Sequence, residues 1–446
     1  MTVPSIKDAE RAFNEKDYSN AEKIYLEILN IDTALFDNQV RSNTEKIVDL
    51  KETSILQLSK IYVLQKDVEK LTKLLKDSLQ IMSGSFAKSK TAKIIKLLLD
   101  TVESSKSWNS EKLDLNSSLE LSIELTKTCI DWSINEKRTF LKQSLQIRLS
   151  LLYYKKKNYN ESLKIIEPLI SEFKKLDDKS SLVEVQLLES KNYFQLKNYI
   201  KSRASLTSAR TSANAIYCPS TIQAELDLMS GILNAQDKDF QTAYSYFFEA
   251  FENYQLHEQN KNIDDDNEKS IKVLKYMLLS KIMTNNLNDI NTLLKQKVCQ
   301  PFINKKEIEA MKSVSTAVSN RSLKDLEDSL KFYTVELSLD PIIRSHLSDL
   351  YDSLFEKNLL KLIEPYSCIE INHICSMIGL PKETIESKLS NMILDKTFYG
   401  ILDQANGWLI IYNEPIVDKS YDYSLEIIKQ MSNAVDLLYE KASSLD

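Results

Sequence analysis

Between Leu362 and Tyr412 the apolar positions change period several times within a short span, and each change predicts an element. Cys368-Ile369-Glu370-Ile371 alternates at period two, as a half-buried strand does. Ile374, Met377 and Ile378 then fall on one face of a helix, which Gly379-Leu380-Pro381 ends. Ile385, Leu389, Met392 and Ile393 repeat at helical spacing over a second helix, Lys382 to Asp395, with Pro381 near the first turn, where a missing N–H costs nothing. Phe398 to Leu402 and Trp408 to Tyr412 flank the polar loop Asp403-Gln404-Ala405-Asn406-Gly407, whose Asn-Gly supplies the positive φ of a tight hairpin. Strand, helix, turn, helix and hairpin in that order predict a compact unit of winged-helix type.

Charge and polarity within this unit narrow its use. A winged helix that reads DNA carries Lys and Arg on its second helix and wing, to neutralise phosphates. Here Lys382 and Lys388 stand against Glu383, Glu386 and Asp395, so the second helix is net acidic. The wing strands are apolar on both faces, with Trp408, Ile410 and Tyr412 on one and Leu409 and Ile411 on the other, a pattern that expects cover on both sides. One face is expected to pack on the unit's own helices. The other presents an apolar edge strand that would aggregate unless paired. Completion of the sheet by another protein is the first expectation, and cover by the C-terminal helix is the alternative.

Upstream, a weak internal repeat organises the chain. Its tag is Asp or Asn, then an aromatic, then a small residue three positions later: Asp17-Tyr18 with Ala21, Asn158-Tyr159 with Ser162, Asn198-Tyr199 with Ser202, and Asp239-Phe240 with Ala243. Tyr159 to Tyr199 is 40 residues and Tyr199 to Phe240 is 41, a near-constant period. Each copy reads as a helical hairpin in which the small residue lets two helices approach and the aromatic plugs the seam between neighbouring hairpins. Leu226 to Leu233, the turn Gln236-Asp237-Lys238-Asp239 and Phe240 to Tyr254 form the last of these. Weaker copies at Asp67-Val68 with Leu71 and Asn286-Leu287 with Ile290 carry the stack to about Tyr333. Asn30 to Thr44, Ser104 to Ser117 and Gln255 to Glu268 lack helical periodicity and are expected to be inter-repeat turns, the last holding Asp264-Asp265-Asp266 as a solvated acidic loop.

Asp340-Pro341 marks a break before a helix, Ile342 to Leu362, that leads into the winged unit. After Pro415 the chain reads as one helix, Ser420 to Ser444. Leu425, Ile428, Val435 and Leu438, with Ser432 and Ala442, form a narrow seam that fits either packing on the winged unit or a bundle with helices of other chains. The predicted domains are a repeat solenoid over 1–340, the winged unit over 341–415 and a bundle helix over 416–446.

Composition supports an almost all-helical chain too long for one core. It has 446 residues with 5 Gly and 8 Pro, so few tight turns are available. The net charge of -6 gives no long-range attraction to nucleic acid. The start, Met1-Thr2-Val3-Pro4-Ser5-Ile6-Lys7-Asp8, lacks the apolar core of a signal peptide, and apolar runs elsewhere are short, so a soluble intracellular protein without a membrane partner is expected. Cys129, Cys218, Cys299, Cys368 and Cys375 are odd in number and scattered, and are expected to be reduced, free and mostly buried.

A search for catalytic chemistry returns little. His257, His346 and His373 lie far apart, and none forms a His-Glu-x-x-His pattern. No glycine-rich phosphate loop occurs. Cys368, His373 and Cys375 alternate with isoleucines and lack a fourth ligand, so core packing is their expected role. No catalytic residue, cofactor or metal is assigned.

A helical repeat stack that runs into a winged helix and a terminal helix resembles the PCI family of the proteasome lid, the signalosome and the multi-subunit translation initiation factor. Phe86-Ala87-Lys88-Ser89-Lys90-Thr91, Phe173 to Leu182, Ile216-Tyr217-Cys218-Pro219, Glu225 to Ile232, Met392 to Lys396 and Leu402 to Leu409 are similar to the non-ATPase, proteasome-lid branch of that family. The resemblance implies a mostly α fold: a right-handed TPR-like α-solenoid, a PCI-type winged helix with a small β-sheet, and a C-terminal helix. It implies a non-catalytic scaffold in ubiquitin-dependent degradation, in cytoplasm and nucleus, working as one member of a hetero-oligomer. Its partners would be other PCI lid subunits, and, through the N-terminal solenoid, the ATPase ring and the core-particle outer ring. The shared-sheet contact falls on Phe398, Tyr399, Ile401, Trp408, Ile410 and Tyr412, and the bundle contact on Leu425, Ile428, Val435 and Leu438. A PCI scaffold of the signalosome or initiation factor and a nucleic-acid-binding PCI adaptor are the alternatives.

Overall fold

A computed structural model of the chain describes residues 11, 17–29, 41–65, 68–85, 88–104, 115–258, 264–296, 298–338, 340–379, 381–413 and 419–444. It divides into two compact units, Met1–Val273 and Leu274–Asp446. The described part of the first is helical: α1 (Tyr18–Leu29), α2 (Arg41–Gln65), α3 (Val68–Ser85), α4 (Lys88–Ser104), α5 (Leu115–Asn135), α6 (Thr139–Lys155), α7 (Tyr159–Leu176), α8 (Lys179–Gln195), α9 (Tyr199–Asn214), α10 (Ser220–Gln236) and α11 (Phe240–Glu258). α12 (Asp264–Met283) crosses the division.

One turn recurs with little change. After α6 the chain enters the left-handed region at Lys157 (φ 66°). Lys157 N donates to Tyr154 O at 3.0 Å and Asn158 N to Tyr153 O at 3.0 Å, the paired closure of a Schellman cap. The same closure ends α5 at Lys137, α8 at Lys197, α10 at Lys238 and α12 at Asn285. Glycine is the usual occupant of that position. This chain fills it with lysine or asparagine, which is how it makes short helical hairpins with so few glycines.

The small residue of the repeat tag does lie where two helices meet. Ala21, Ser162, Ser202 and Ala243 are fully buried. Ser162 Oγ donates to Ser150 O at 3.0 Å across its hairpin and receives Asn192 Nδ2 of the next hairpin at 3.1 Å, while Ser190 and Ser202 exchange hydrogen bonds of 2.9 and 3.0 Å. The tag aromatic behaves differently from the expectation of a plug between hairpins. Tyr159 packs on Tyr154 at 5.8 Å and Tyr199 on Phe194 at 5.6 Å, each clasping the turn of its own hairpin. The Schellman turn brings residues five apart together, so the local partner wins.

Three expected loops are shorter than their polarity suggested. Residues 30–40, 105–114 and 259–263 lie outside the described residues, as do Asp67, Phe86 and Ala87, but Arg41 to Thr44 already belongs to α2 and Gln255 to Glu258 still to α11. Asp264-Asp265-Asp266 is the first turn of α12 rather than part of a loop.

In the second unit α13 (Leu287–Leu294) and a 3-10 turn (Gln300–Phe302) precede α14 (Lys306–Asn320), α15 (Leu323–Phe332), α16 (Thr334–Ser338) and α17 (Pro341–Ile363). Pro341 occupies the first turn of α17 as the sequence predicts. Lys275 of α12, with its side chain 7 % exposed, is held by Glu307 at 2.7 Å and Asp340 at 3.7 Å, so the buried ammonium ties α12, α14 and the start of α17 together.

The chain then forms β1 (Cys368–Glu370), α18 (Ile371–Ile378), α19 (Lys382–Leu394), β2 (Tyr399–Asp403) and β3 (Trp408–Tyr412). The sheet is antiparallel with order β1-β3-β2. Ile369, Ile371, Ile374, Ile385, Leu389, Met392 and Leu409 make its core. Met377 is 46 % exposed, against expectation. α18 starts at Ile371, two residues earlier than the periodicity suggested, and this turns Ile371 and Ile374 inward. α20 (Lys419–Ser443) closes the chain.

Candidate protein-interaction surfaces

The register of the sheet decides which side chains share a face. Ile401 pairs with Ile410 and Ile410 with Cys368, Trp408 lies between Asp403 and Glu370, and Tyr412 faces Tyr399. Strand alternation therefore puts Tyr399, Ile401, Trp408, Ile410 and Tyr412 on one side, with Cys368. Leu402, Leu409 and Ile369 occupy the other side and cover α18 and α19. On the outer side Ile401 is 54 % exposed, Trp408 45 % and Tyr412 51 %, with Tyr399 and Ile410 half-buried. Phe398 does not join them. Its ring stands beside Gly400, 3.2 Å from where a Cβ would be, on the inner side.

The edges also differ from the expectation. β3 is the central strand, paired on both sides within the chain, so the apolar Trp408-to-Tyr412 segment is not an edge. The open edges belong to β1 and β2. A hairpin alone cannot reveal this, because the strand that pairs with the far side of β3 comes from Cys368–Glu370, well before it in sequence. At Gly400 a Cβ would lie 2.7 Å from Ile410 O, so β2 and β3 approach closely only because that residue has no side chain. The hairpin tip is fixed by Asp403, whose carboxylate accepts from Ala405 N at 3.0 Å, Asn406 N at 3.2 Å and Asn406 Nδ2 at 2.9 Å. The Asn406 amide bond, chief among these, holds the Asp403 carboxyl below the usual carboxylate range.

The second helix of the winged unit is not a phosphate-binding face. Lys382 pairs with Glu386 at 3.4 Å, and Lys388 reaches Asp352 at 3.2 Å and Glu356 at 3.8 Å on α17. Both lysines of α19 are thus committed within the chain. The second of them anchors the winged unit to the helix that precedes it.

α20 is amphipathic along 25 residues, yet none of them is buried. Leu425, Ile428, Val435 and Leu438 are 60 to 67 % exposed, which excludes packing of this helix on the winged unit. Tyr421 and Met431, 76 and 64 % exposed, extend the same stripe. Steps of seven, three, four and three run from Tyr421 through Ile428, Met431, Val435 and Leu438, a heptad pattern that adds Tyr421 and Met431 to the predicted contacts.

The thiols depart from expectation in burial. All five cysteines are free, but only Cys129 and Cys299 are buried. Cys218 and Cys375 are intermediate and Cys368 is exposed on the outer sheet face. Burial pushes the Cys129 thiol up to about 12, so it is inert at neutral pH. His373 is exposed as well, so Cys368, His373 and Cys375 are not core residues. Among the described residues no three ligands gather for a metal, and no helix is long and apolar enough to cross a membrane.

Comparison with known proteins adds three family matches along the chain. Residues 2–156 match the 26S proteasome regulatory subunit RPN6 N-terminal domain, 330–413 the PCI domain, and 417–443 the 26S proteasome subunit RPN6 C-terminal helix domain. The chain is similar to the 26S proteasome regulatory subunit RPN6 of Saccharomyces cerevisiae, 47 % identical over 448 residues with 100 % of each chain covered. It is 46 % identical to the probable 26S proteasome regulatory subunit rpn6 of Schizosaccharomyces pombe, with 99 % of each covered. The 26S proteasome non-ATPase regulatory subunit 11 of Dictyostelium discoideum is 42 % identical, over 92 % of this chain and 94 % of its own.

Proposed function

The chain belongs to the RPN6 family of 26S proteasome regulatory subunits, and from that premise we propose that it works by offering unfinished apolar surfaces which neighbouring lid subunits complete. As a family member it is a non-catalytic regulatory subunit whose partners lie within the 26S proteasome. Other PCI subunits bind the outer sheet face formed by Tyr399, Ile401, Trp408, Ile410 and Tyr412, and extend the sheet from the open edge of β2. Phe398 supports that edge from behind. The terminal helix enters a bundle through Leu425, Ile428, Val435 and Leu438. The N-terminal helices reach the ATPase ring and the outer ring of the core particle, and the complex works in cytoplasm and nucleus.

The observation that carries the reading is α20: a helix of 25 residues, none of them buried, whose apolar stripe is left exposed by the described residues of its own chain. An isolated helix without tertiary contacts is marginal in water, so this one needs neighbours. A nucleic-acid adaptor is disfavoured because Lys382 and Lys388 are already paired with carboxylates of this chain. The test is the double variant Ile401→Lys with Trp408→Lys, expressed in place of the natural chain. It should keep its helical content and be lost from purified lids, whereas normal incorporation would contradict the sheet contact. A chain lacking α1 and α2 should instead enter lids that hold the core particle loosely, and an undiminished yield of capped particles would contradict the N-terminal assignment.

A further inference from the structure

The outer face of the three-stranded sheet is not uniformly apolar, and its register sorts it into rows. At the hairpin end the row is Glu370 on β1, Trp408 on β3 and Asp403 on β2, so the indole stands between two carboxylates. The next row is Cys368, Ile410 and Ile401, and beyond it Tyr412 faces Tyr399. Cross-strand neighbours directly opposite one another have Cβ atoms about 5 Å apart, so both acids flank the same ring. Trp408 is 45 % exposed, and Glu370 is exposed beside it.

These carboxylates are not paired with cations of this chain. Glu370 holds the capping position of α18 but makes no side-chain cap bond, and the exposed-buried-exposed pattern of β1 puts it on the side of Cys368, opposite Ile369. Asp403 accepts three hydrogen bonds from Ala405 and Asn406, none of them from a charged group, so it keeps its charge and is held in place. Among the described residues neither acid forms an ion pair, and no cation lies over the Trp408 ring. Lys382 comes to the hairpin tip, its Nζ 3.9 Å from where a Cβ of Gly407 would lie, and is held by Glu386 at 3.4 Å on α19. An exposed indole attracts a cation to its face, and here an anion stands on each side of it.

We propose that this row receives an arginine of the lid subunit that covers the sheet, its guanidinium stacked on Trp408 and bonded to Glu370 and Asp403. The assignment rests on the proposal that another subunit binds this face, and adds the chemistry which the face selects. Arginine suits the site and lysine does not. A planar guanidinium stacks on an aromatic ring while its N–H donors radiate toward carboxylates on either side, whereas an ammonium is a compact, strongly hydrated point charge. The two further rows lie about 7 and 14 Å along the strands and call for apolar side chains. The matching partner surface is therefore an apolar stripe with an arginine at one end. That polarity fixes the direction of docking, because the reversed stripe would set the guanidinium against Tyr412 and Tyr399 and leave both carboxylates without a partner.

The test is competition for assembly. Lids depleted of this chain are offered natural and variant chains in equal excess, and the ratio taken up is measured by quantitative mass spectrometry. The natural chain should be preferred over Glu370→Gln and over Trp408→Leu by at least about fivefold each. Trp408→Phe, which keeps a ring for the cation, should fall between. The Glu370→Gln disadvantage should shrink when about 1 M salt replaces 0.1 M, because the screening length falls to about 3 Å. Both side chains face solvent, so the free variants should melt with the natural chain. Equal uptake of Glu370→Gln and Trp408→Leu, while Ile401→Lys with Trp408→Lys is excluded, would overturn the arginine and leave the sheet contact standing. Uptake of all three would remove both. Trp408→Phe no better than Trp408→Leu, or a Glu370→Gln disadvantage indifferent to salt, would also overturn it. Asp403 is not the residue to change, because its carboxylate holds the hairpin tip.

Discussion

α10 and α20 are both helices rich in leucine and isoleucine, and they do opposite things with them. In α10, Leu226, Met229, Gly231, Ile232 and Leu233 are all buried, and a Cβ at Gly231 would lie 2.5 Å from the Phe247 ring of α11. In α20 the same residue types, at Leu425, Ile428, Val435 and Leu438, face solvent. The difference teaches that amphipathicity sets which face must be covered and says nothing about who covers it. α10 is closed by helices of its own chain. α20 and the outer face of the sheet are not covered by the described residues of the chain, and under the proposed function other chains cover them.

The sharpest way to break this comparison is one substitution in two places. Leu226→Ala, at a fully buried site, should cost about 2 to 5 kcal/mol in urea unfolding of the isolated chain. Leu438→Ala, 67 % exposed, should cost less than about 0.5 kcal/mol there and show its effect only in lid assembly. Comparable losses at the two sites would mean that α20 is packed within its own chain.

Acid should separate the two units more gently. Burial lowers His346 of α17 below the ordinary histidine value of 6.5, while the Asp349 charge works against this. A folded value below the unfolded one gives a contribution that is fully present above pH 6.5 and is lost as pH falls toward the folded value. Asp227 of α10 has the reverse sign, since its carboxyl is raised by burial and protonation relieves that burial. Unfolding followed by a probe in α17 should thus lose stability between pH 7.5 and 5.5 more than one in α10, and His346→Gln should flatten the difference. Parallel loss in the two probes would remove the assignment.

The smallest effect tests the turns. Lys197 sits at φ 59°, a conformation that strains any residue with a side chain. Lys197→Gly should raise stability by about 0.5 kcal/mol, the relief of strain being partly offset by the flexibility of glycine in the unfolded chain. A decrease in melting temperature would mean that the lysine side chain contributes something the cap does not need.

Much of this was legible from residues alone, and the misses have common physical causes. The small residues Ser162, Ser202 and Ala243 marked helix contacts because close approach permits nothing larger, and Asn406-Gly407 marked the hairpin. The stripe of α20 was readable as amphipathic. The helix ends were harder, since Lys157, Lys197 and Lys238 do the work normally signalled by glycine. The sheet order was hidden because β1 pairs with β3 across two intervening helices, and local alternation carries no record of a distant partner. The exposure of Cys368 and His373 is hidden for the same reason: hydrophobic neighbours suggest a buried position, while the pleat sends Cys368 outward and Ile369 inward.

The central claim is that surfaces left bare by this chain are covered in the complex, and hydrogen exchange of the α20 amides tests it most directly. In the free chain, residues 425–438 should exchange within the earliest time points, since the described residues leave the whole helix unburied. In assembled 26S particles the same amides should be protected by factors of a hundred or more, a gain of about 3 kcal/mol or greater in the opening free energy. Equal exchange in the free chain and the assembled particle would contradict the account.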